Sequence, residues 1–526
     1  AEALQEFHAA QKGRSSPRGC PTTEMEKRLH GLCATILKVP SENIGIDDNW
    51  FHIGGNSVLT MQLVGNATKE SLLFAVQDVY RHPVLSDLAG VIQYVSASSE
   101  TVKPFTLLSG DAAVQQTMIQ EVVEKYPDSP DDVEDIYPCT TNQIQCIQLS
   151  VANDANLTIQ IDLEPVTGSL DLDQLAHAWS ILIDAHPILR THIVELEQGD
   201  YFQVVRKGCI PIEHSSSWPT VDMDIWGLGQ PLLRLIRQDD RFMMIFHHAL
   251  HDGFSLALVL RDFERAYRGE ILQLQPFSPF IQCTLVINSH VDEFWKSMFS
   301  GWRSAVFPSL PHPEYKPRGA CYRGRTLAKQ QQGLNEFMID TRIRLALGLA
   351  VAKVTGNLDV VFGAHVNRRD LPLPGITQMT GPTIGTYPVR LQFSSLEQTL
   401  RDHLMLIQNQ TVETIPFQCA ELDYIKRLSP EAASACEFQT SLMVQANLDD
   451  MVPFPFSQCR YREAPFECWS LGFVVETHPS SLDLHAFYDE KMIETSEVDC
   501  MLDLMSEVLE LIDRAPGSRI GHLLEV

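Results

Sequence analysis

A histidine-rich segment in the middle of the chain holds the residue types best suited to moving a proton. It reads RFMMIFHHALHDGFS from residue 241, so that His247 and His248 are followed by His251 and then by Asp252-Gly253. A histidine titrates near neutral pH. Beside a carboxylate that fixes the local geometry, it can accept a proton from an amine or hydroxyl nucleophile. General acid/base chemistry is therefore one interpretation of this segment.

Two other interpretations stay open on the residues alone. The three histidines and Asp252 are all possible zinc ligands. Zinc sites with this content usually place two histidines one turn apart on a continuous helix, whereas here Gly253 follows directly, which makes a metal site the weaker interpretation. In a purely structural interpretation, the histidine pair ends a strand and Asp252 caps the helix that follows.

The neighbouring sequence places this segment between a strand and a helix. Phe242 to Phe246 are five consecutive apolar residues, which is typical of a central strand buried on both faces. After Gly253, large apolar residues recur at the spacing of one helix face, from Leu256 to Tyr267. The histidines thus lie in a strand-to-helix loop, a position where scaffolds commonly hold reactive groups.

Ser57 is a second candidate site, because it follows the tight turn Gly54-Gly55-Asn56 and opens a predicted helix. A hydroxyl on the first turn of a helix lies where free N–H groups and the helix dipole favour a phosphodiester. The bare tetrapeptide has a second interpretation, in which Asn56 or Ser57 is simply the N-cap. Four short helices are predicted around it, the first opening with a capping box of Thr23 and Glu26.

Composition limits what such sites can act on. The chain has 526 residues, 40 basic and 67 acidic, for a net charge of −27 that repels phosphate backbones and anionic lipids. No nucleic-acid or membrane partner is expected, and no apolar run is long enough to span a membrane. The cysteines occur without a CxxC pair, so a reducing, cytoplasmic location is expected. A first residue other than Met indicates a piece of a longer polypeptide.

The chain is too long for one hydrophobic core, and the pattern of predicted secondary structure changes along its length. An all-helical segment comes first, and strands and helices alternate for nearly 400 residues after it, which predicts a mixed α/β domain of two lobes. The predicted division is a linker at 1–20, a helical domain at 21–97, a linker at 98–131, an N-lobe at 132–302 and a C-lobe at 303–526.

The string from His247 to Gly253 resembles the HHxxxDG motif of the condensation domains of nonribosomal peptide synthetases, which are relatives of chloramphenicol acetyltransferase. Four further strings are similar to motifs of that family, in the family's order and in a form that looks fungal. They are EDIYPCT from Glu134, HPILRT from His186, GPTIGTYPVR from Gly381 and IPF from Ile415. The resemblance covers about residues 132 to 526.

The first domain resembles a peptidyl carrier protein, through DDNWFHIGGNS ending at Ser57 and the later string VQD to HP between residues 76 and 83. The resemblance implies that Ser57 carries a covalent 4'-phosphopantetheine, attached by a phosphopantetheinyl transferase. It also implies a small four-helix bundle ahead of a large two-lobed α/β domain. The expected partners are a peptidyl thioester substrate and other modules of the same synthetase.

The family implies a role for each site residue, and no metal or redox cofactor. His248, the second histidine of the motif, is the expected catalytic residue, either as a base for the nucleophile or as a group that positions it. Asp252 is expected to pair with the arginine of the second core motif, Arg190, and so to hold the loop. Gly253 is expected to let the backbone pass close to the phosphopantetheine arm.

Three outcomes are open for the reaction. Release of a peptidyl thioester by intramolecular amide formation, that is, macrocyclisation, is the preferred prediction because the motifs are of fungal type and the carrier and condensation domains form a unit. Chain elongation with a downstream aminoacyl carrier is the alternative. It draws support from His247, which fungal terminal domains often replace by serine. A degenerate, non-catalytic scaffold that only docks carriers is the third.

Overall fold

The computed structural model describes residues 19–524 apart from 56, 95–101, 127–131, 153–156, 167–169, 198, 217–226, 240, 286–287, 313, 329–336, 372, 447–454, 464–468 and 479. The chain divides into two compact units, a helical one that precedes residue 100 and an α/β one that holds most of the remainder. The multidomain fold class predicted from the sequence is thereby confirmed. Among the helices of the described residues, none is both long enough and apolar enough to cross a membrane.

The helical unit has the four helices that the sequence predicts. Thr23 caps the first helix, and its side chain and that of Glu26 form the expected capping box. The elements are α1 (Glu24–Leu37), a 3-10 turn (Ser41–Asn43), α2 (Ser57–Lys69), β1 (Leu72–Leu73), α3 (Val76–Arg81), α4 (Leu85–Val91) and β2 (Gln93–Tyr94). Their apolar faces enclose a core of their own that includes Leu29, Trp50 and Leu63, all fully buried.

The α/β unit begins with a helix that the sequence division left in a linker. Its helices are α5 (Ala112–Lys125), α6 (Thr141–Val151), α7 (Leu172–Ala185), α8 (Gly253–Tyr267), α9 (Ser278–Leu285), α10 (Ser289–Phe299), α11 (Ile339–Thr355), α12 (Leu400–Thr414), α13 (Leu422–Lys426), α14 (Pro430–Ala435), α15 (Thr495–Arg514) and α16 (Gly521–Leu524). Two 3-10 turns, Pro187–Arg190 and Ile415–Phe417, add to them.

Within the described residues, the strands of this unit form three sheets. They are β3 (Val133–Pro138), β4 (Thr158–Pro165), β5 (Thr191–Glu195), β6 (Tyr201–Arg206), β7 (Ile212–His214), β8 (Leu233–Gln238), β9 (Arg241–His247), β10 (Cys321–Ala328), β11 (Asp359–Val366), β12 (Gly385–Gln392), β13 (Thr440–Ala446), β14 (Phe456–Glu463), β15 (Leu471–Thr477) and β16 (Ser481–Tyr488). The sheet orders are β3-β6-β5, β14-β4-β9-β8-β7 and β10-β16-β15-β13-β11-β12. The predicted strand at Phe242 to Phe246 is β9, the central strand of its sheet, and those five residues are buried.

Strand β14 does not follow the division into two lobes. It lies in sequence between β13 and β15, which are parallel neighbours in the six-stranded sheet. Yet β14 pairs antiparallel with β4 of the five-stranded sheet, with Glu463 opposite Ile159. The boundary predicted at residue 303 therefore fails for this strand, because a segment of the C-lobe completes the sheet of the N-lobe.

Parts of the two predicted linkers lie outside the described residues. These parts are 1–18 of the linker at 1–20, and 98–101 and 127–131 of the linker at 98–131. Between the last two, however, α5 packs on the three-stranded sheet, where Val122 joins Ile136 and Val204 in one buried cluster. The interval 98–131 is thus partly folded into the α/β unit, because α5 has an apolar face to bury.

Candidate functional site

The loop between β9 and α8 begins with a histidine that is committed to the interior. His247 is fully buried, its Nε2 lies 2.8 Å from the Ser150 hydroxyl, and its Nδ1 accepts the Ala249 N–H at 3.1 Å. Since Nδ1 accepts, Nε2 carries the proton and donates to Ser150. Burial, and then the neighbouring His248, lower the pKa of His247 to about 3, so the ring is neutral near pH 7. Both nitrogens are engaged, which leaves neither for a metal ion or a substrate proton.

His248 differs from its neighbour in exposure. Its backbone N–H donates to the Leu157 carbonyl at 2.9 Å, just before β4, while its imidazole is partly exposed. The ring lies over that of His251, with centroids 4.6 Å apart and planes 33° apart. His251 is itself buried edge-on against Phe246. The main chain at His248 is therefore fixed, and one side of its ring is supported, while the ring reaches the surface.

The next peptide group is held by residues that the sequence reading missed. The Gln143 side-chain amide donates to the Ala249 carbonyl at 3.0 Å and to the Gln203 side chain at 2.8 Å. Gln143 is fully buried and closes the capping box of α6 with Thr140. The capping-box spacing was the available signal, but it indicates only a helix start and not the contact with a loop 106 residues away.

Asp252 is the N-cap of α8 and receives hydrogen bonds on both carboxylate oxygens. One oxygen accepts the Ser255 N–H at 2.7 Å and lies 3.5 Å from the Arg369 guanidinium. The other accepts the Thr383 N–H at 2.9 Å and its hydroxyl at 3.2 Å. A carboxylate satisfied in this way, and buried, holds the loop in place and is poorly suited to act as a base.

The predicted pairing of Asp252 with Arg190 is wrong. Arg190 ends a 3-10 turn and points towards the three-stranded sheet, where it forms a salt bridge with Glu134 and donates to the Arg206 carbonyl. Its Nε donates to the Ile183 carbonyl at 3.1 Å. The partner of Asp252 is instead Arg369, which lies just beyond β11. Two adjacent arginines after a buried strand were the sequence signal for this contact. The sequence does not show, however, which carboxylate they bind.

Arg369 also fastens the loop before β12. It donates to the carbonyls of Met379 at 2.6 Å and Gly381 at 3.1 Å, and its guanidinium lies 4.5 Å from the centroid of the Phe254 ring. Gly381 has φ +115°, and a Cβ there would come within 2.5 Å of Phe277. The string that starts at Gly381 therefore needs glycine at that point for backbone and packing reasons.

A buried contact between a histidine and a carboxylate also holds this loop. His186 is fully buried, with Nδ1 3.0 Å from the Thr380 hydroxyl and Nε2 3.3 Å from the Asp262 carboxylate. Burial alone raises the pKa of Asp262. The hydrogen bond to His186 and the charge of Arg261 outweigh it and bring that pKa to about 2. The loop that carries Thr383 is thus anchored at two places.

Gly253 is the first residue of α8 and is exposed. Its predicted approach to the phosphopantetheine arm stays a prediction. As a glycine, it presents no side chain of its own at this end of the helix.

In the helical unit, Ser57 is the first residue of α2 and the turn before it is tightly built. Gly54 has φ +108°, and a Cβ on Gly55 would come within 2.4 Å of the Trp50 indole. Trp50 is fully buried and its Nε1 donates to the Thr60 hydroxyl at 2.8 Å, which ties the turn to the helix. The first turn of this 13-residue helix has no acidic residue, so the position fits a phosphodiester.

Comparison with known proteins gives two family matches in chain order. The phosphopantetheine attachment site family matches residues 27–92, and the condensation domain family matches residues 230–524. Among curated proteins, the nonribosomal peptide synthetase fmqA of Aspergillus fumigatus is 31% identical over 96% of this chain and 13% of its own length. The D-lysergyl-peptide-synthetase subunit 2 of Claviceps purpurea is 30% identical over 96% of this chain and 39% of its own length. The chain thus spans well under half of either relative.

Solved structures resemble the α/β unit in fold. A crystal structure of CT matches with a TM-score of 0.64 at 20% identity, covering 80% of this chain and 99% of that one. The condensation domain of the Monacolin K polyketide synthase MokA matches with a TM-score of 0.55 at 15% identity, covering 74% of this chain and 100% of that one. At these identities the likeness concerns the fold alone.

Proposed function

The chain belongs to the condensation-domain family, as the carrier and condensation part of a nonribosomal peptide synthetase, and on this premise we propose that His248 serves amide formation from a peptidyl thioester carried at Ser57. We propose further that the reaction is intramolecular, releasing the peptide by macrocyclisation. The observation that carries the proposal is the division of roles in one loop. His247 and Asp252 are buried and fully engaged, while the His248 ring reaches the surface.

His248 is placed to receive the proton of the attacking amine or to hold that amine in line. Four fixed points support the loop: the Leu157 carbonyl, Gln143, Ser150 and the Asp252 cap. A fixed loop limits the positions that the ring can take, and positioning is a large part of the effect of a catalytic group. Asp252 and Arg369 contribute this positioning and do not touch the reacting atoms.

The covalent 4'-phosphopantetheine on Ser57 supplies the thiol that holds the acyl group as a thioester. The first turn of α2 presents N–H groups for the phosphodiester, and the Trp50–Thr60 hydrogen bond holds the preceding turn against that helix. A phosphopantetheinyl transferase is the partner that this site requires, and other modules of the synthetase supply the peptide.

Macrocyclisation is supported by the fungal-type motifs and by the direct order of carrier and condensation domains. Elongation with a downstream aminoacyl carrier is the second candidate, and the observation that favours it is His247. This residue is retained here and locked between Ser150 and Ala249. The two candidates differ in the nucleophile and not in the role of His248.

The test loads Ser57 from a peptidyl coenzyme A with a phosphopantetheinyl transferase and follows the products by mass spectrometry. We expect His248→Ala to lower product formation by roughly 10²- to 10⁴-fold, the range of acid/base catalysis, with exposed His290→Ala as the matched control. Equal rates in wild type and His248→Ala would refute the catalytic assignment.

The same assay separates the candidates. A cyclic product that forms without an added acceptor carrier supports macrocyclisation. A product that forms only with an aminoacyl carrier establishes elongation. If neither substrate reacts while carriers still bind, the condensation domain is a docking scaffold.

A further inference from the structure

Two cysteines of the α/β unit, distant in sequence, lie in direct contact. The Sγ atoms of Cys283, on α9, and Cys419, just after the 3-10 turn Ile415–Phe417, are 3.1 Å apart. Both are free thiols. Cys419 is buried, whereas Cys283 is only partly buried and so can be reached from solvent. One accessible thiol thus has a second thiol within reach of a covalent bond.

A buried arginine, itself paired with a carboxylate, acts electrostatically on the pair. Arg368 is 1% exposed, and its guanidinium acts electrostatically on both sulfurs. Its NH1 donates to the Glu421 carboxylate at 2.8 Å, which holds the guanidinium at the pair. The side chain also lies so close to Gly385 that a Cβ there would come within 1.9 Å of it. The arginine is therefore fixed in place and not a mobile surface charge.

The two thiols differ in acidity. The hydrogen bond with Cys419 lowers the pKa of Cys283 despite partial burial, and the charge of Arg368 lowers it further. The same hydrogen bond and burial raise the pKa of Cys419. Cys283 is thus the more acidic thiol of the pair. By contrast, burial raises the pKa of Cys146 and of Cys436 to about 12, which makes those thiols unreactive.

We propose that Cys283 and Cys419 are a peroxide-reactive site that closes to an intramolecular disulfide. The Cys283 thiolate attacks one oxygen of hydrogen peroxide and the O–O bond breaks, so that this oxygen stays on sulfur as a sulfenic acid. The other oxygen leaves as hydroxide, which becomes water by taking up from solvent the proton that Cys283 lost on ionising. The Cys419 thiol then attacks that sulfur and expels hydroxide, which takes the Cys419 proton to form a second water. In sum, two thiols and one hydrogen peroxide give one disulfide and two waters.

The disulfide ties α9 to the turn that follows α12, close to elements that hold the histidine loop. Phe277, next to α9, packs on Gly381, and Arg368 is adjacent to the Arg369 that bonds Asp252. The Phe417 ring in the same turn stacks on Phe294, with centroids 4.2 Å apart. A covalent link at this point would restrain the segments that anchor the loop before β12.

The experiment treats the reduced full chain with stoichiometric hydrogen peroxide and maps its peptides by mass spectrometry. We expect a cross-linked Cys283–Cys419 peptide pair that is two hydrogens lighter than its reduced parts. In the same wild-type sample, Cys283 should be consumed at least about tenfold faster than the exposed Cys500, because thiolate character and not exposure governs the rate.

Variants separate the two steps. Cys419→Ser should abolish the cross-link and leave a sulfenic acid on Cys283 that dimedone traps, while Cys436→Ser should leave the cross-link unchanged. Consumption of Cys283 no faster than that of Cys500, or oxidation without the cross-link, overturns the proposal. The wild-type comparison needs no variant to fold. Since no readout depends on amide formation, a failure here is distinct from a failure of the proposed function.

Discussion

At the scale of single residues, Asp252 receives donors from three elements: its own helix α8, the loop at Thr383 and Arg369 after β11. Removing one partner of a buried charge pair leaves the other charge desolvated and unpaired. This loss of free energy is larger than what the intact pair contributes to stability. The contact with Arg369 is therefore a structural requirement of the loop, and it can be measured independently of catalysis.

A double-mutant cycle tests which arginine Asp252 depends on. Combining Asp252→Asn with Arg369→Gln should give a coupling of about 0.5–3 kcal/mol in the free energy of unfolding, since the two side chains are in contact. Combining it with Arg190→Gln should be additive within about 0.5 kcal/mol, because Arg190 is bonded to Glu134 and to carbonyl groups. Urea unfolding is the measurement. A larger coupling with Arg190 would restore the pairing predicted from the sequence.

The buried His247 makes stability depend on pH. Its pKa is lowered from 6.5 to about 3 in the folded chain, so below pH 6.5 the unfolded chain binds a proton that the folded chain does not. The contribution of neutral His247 to the free energy of unfolding is complete above pH 6.5. It is lost as the pH falls towards 3, with a slope of at most about 1.4 kcal/mol per pH unit.

Unfolding of wild type and His247→Gln, compared between pH 7 and 5, checks this dependence. The variant should lose stability less steeply as the pH falls, because it has no proton to bind at this position. Equal slopes in the two proteins would show that the folded chain accommodates a charged His247.

At the scale of elements, each candidate site depends on a short turn pressed against a large side chain. In the helical unit Gly55 lies against the Trp50 indole, ahead of Ser57. In the α/β unit Gly381 lies against Phe277, ahead of Thr383. Glycine is required where a Cβ would meet a fixed ring, whereas at an open position with negative φ alanine lowers the entropy of the unfolded chain and stabilises.

Two glycines of the helical unit should respond to alanine with opposite sign. Gly55→Ala should lower the free energy of unfolding by about 1–3 kcal/mol, since its Cβ would lie 2.4 Å from Trp50, whose ring is itself buried. Gly90→Ala, at an exposed position of α4 where an added Cβ would have nothing within 4 Å, should raise it by about 0.5–1 kcal/mol. Thermal unfolding measures both. A neutral Gly55→Ala would mean that Trp50 can move.

At the scale of the whole molecule, β14 links the two lobes of the α/β unit. The strand leaves the six-stranded sheet between β13 and β15 and covers β4, which would otherwise be an unpaired edge. An apolar edge strand left open pairs with other chains. The two lobes are therefore parts of one folding unit, although most of each sheet comes from one half of the chain.

Cutting the chain at residue 302 tests this dependence. A polypeptide of residues 102–302, which keeps α5, should aggregate by itself, because it lacks β14, and should become soluble when 303–526 is co-expressed. Size-exclusion chromatography and circular dichroism measure the outcome. A monomeric, folded 102–302 fragment would show that β14 is dispensable.

The sequence by itself determined the features that depend on neighbours along the chain. The capping box at Thr23, the buried run Phe242 to Phe246 and the helix opened by Asp252 follow from local spacing, and all three are present in the structure. The family, the fold class and the phosphopantetheine site were predicted from short motifs that occur in the family's order, and each motif is again a local feature of the chain.

Only the tertiary structure decided which distant residues meet. Asp252 finds Arg369 across 117 residues, Cys283 finds Cys419 across 136, and β14 leaves its sequence neighbours for β4. Such contacts leave no periodic pattern and no fixed spacing in the sequence. They depend on how the sheets and helices pack once these elements have formed. The chemical types at the site could thus be read from the chain, while their partners were set by packing.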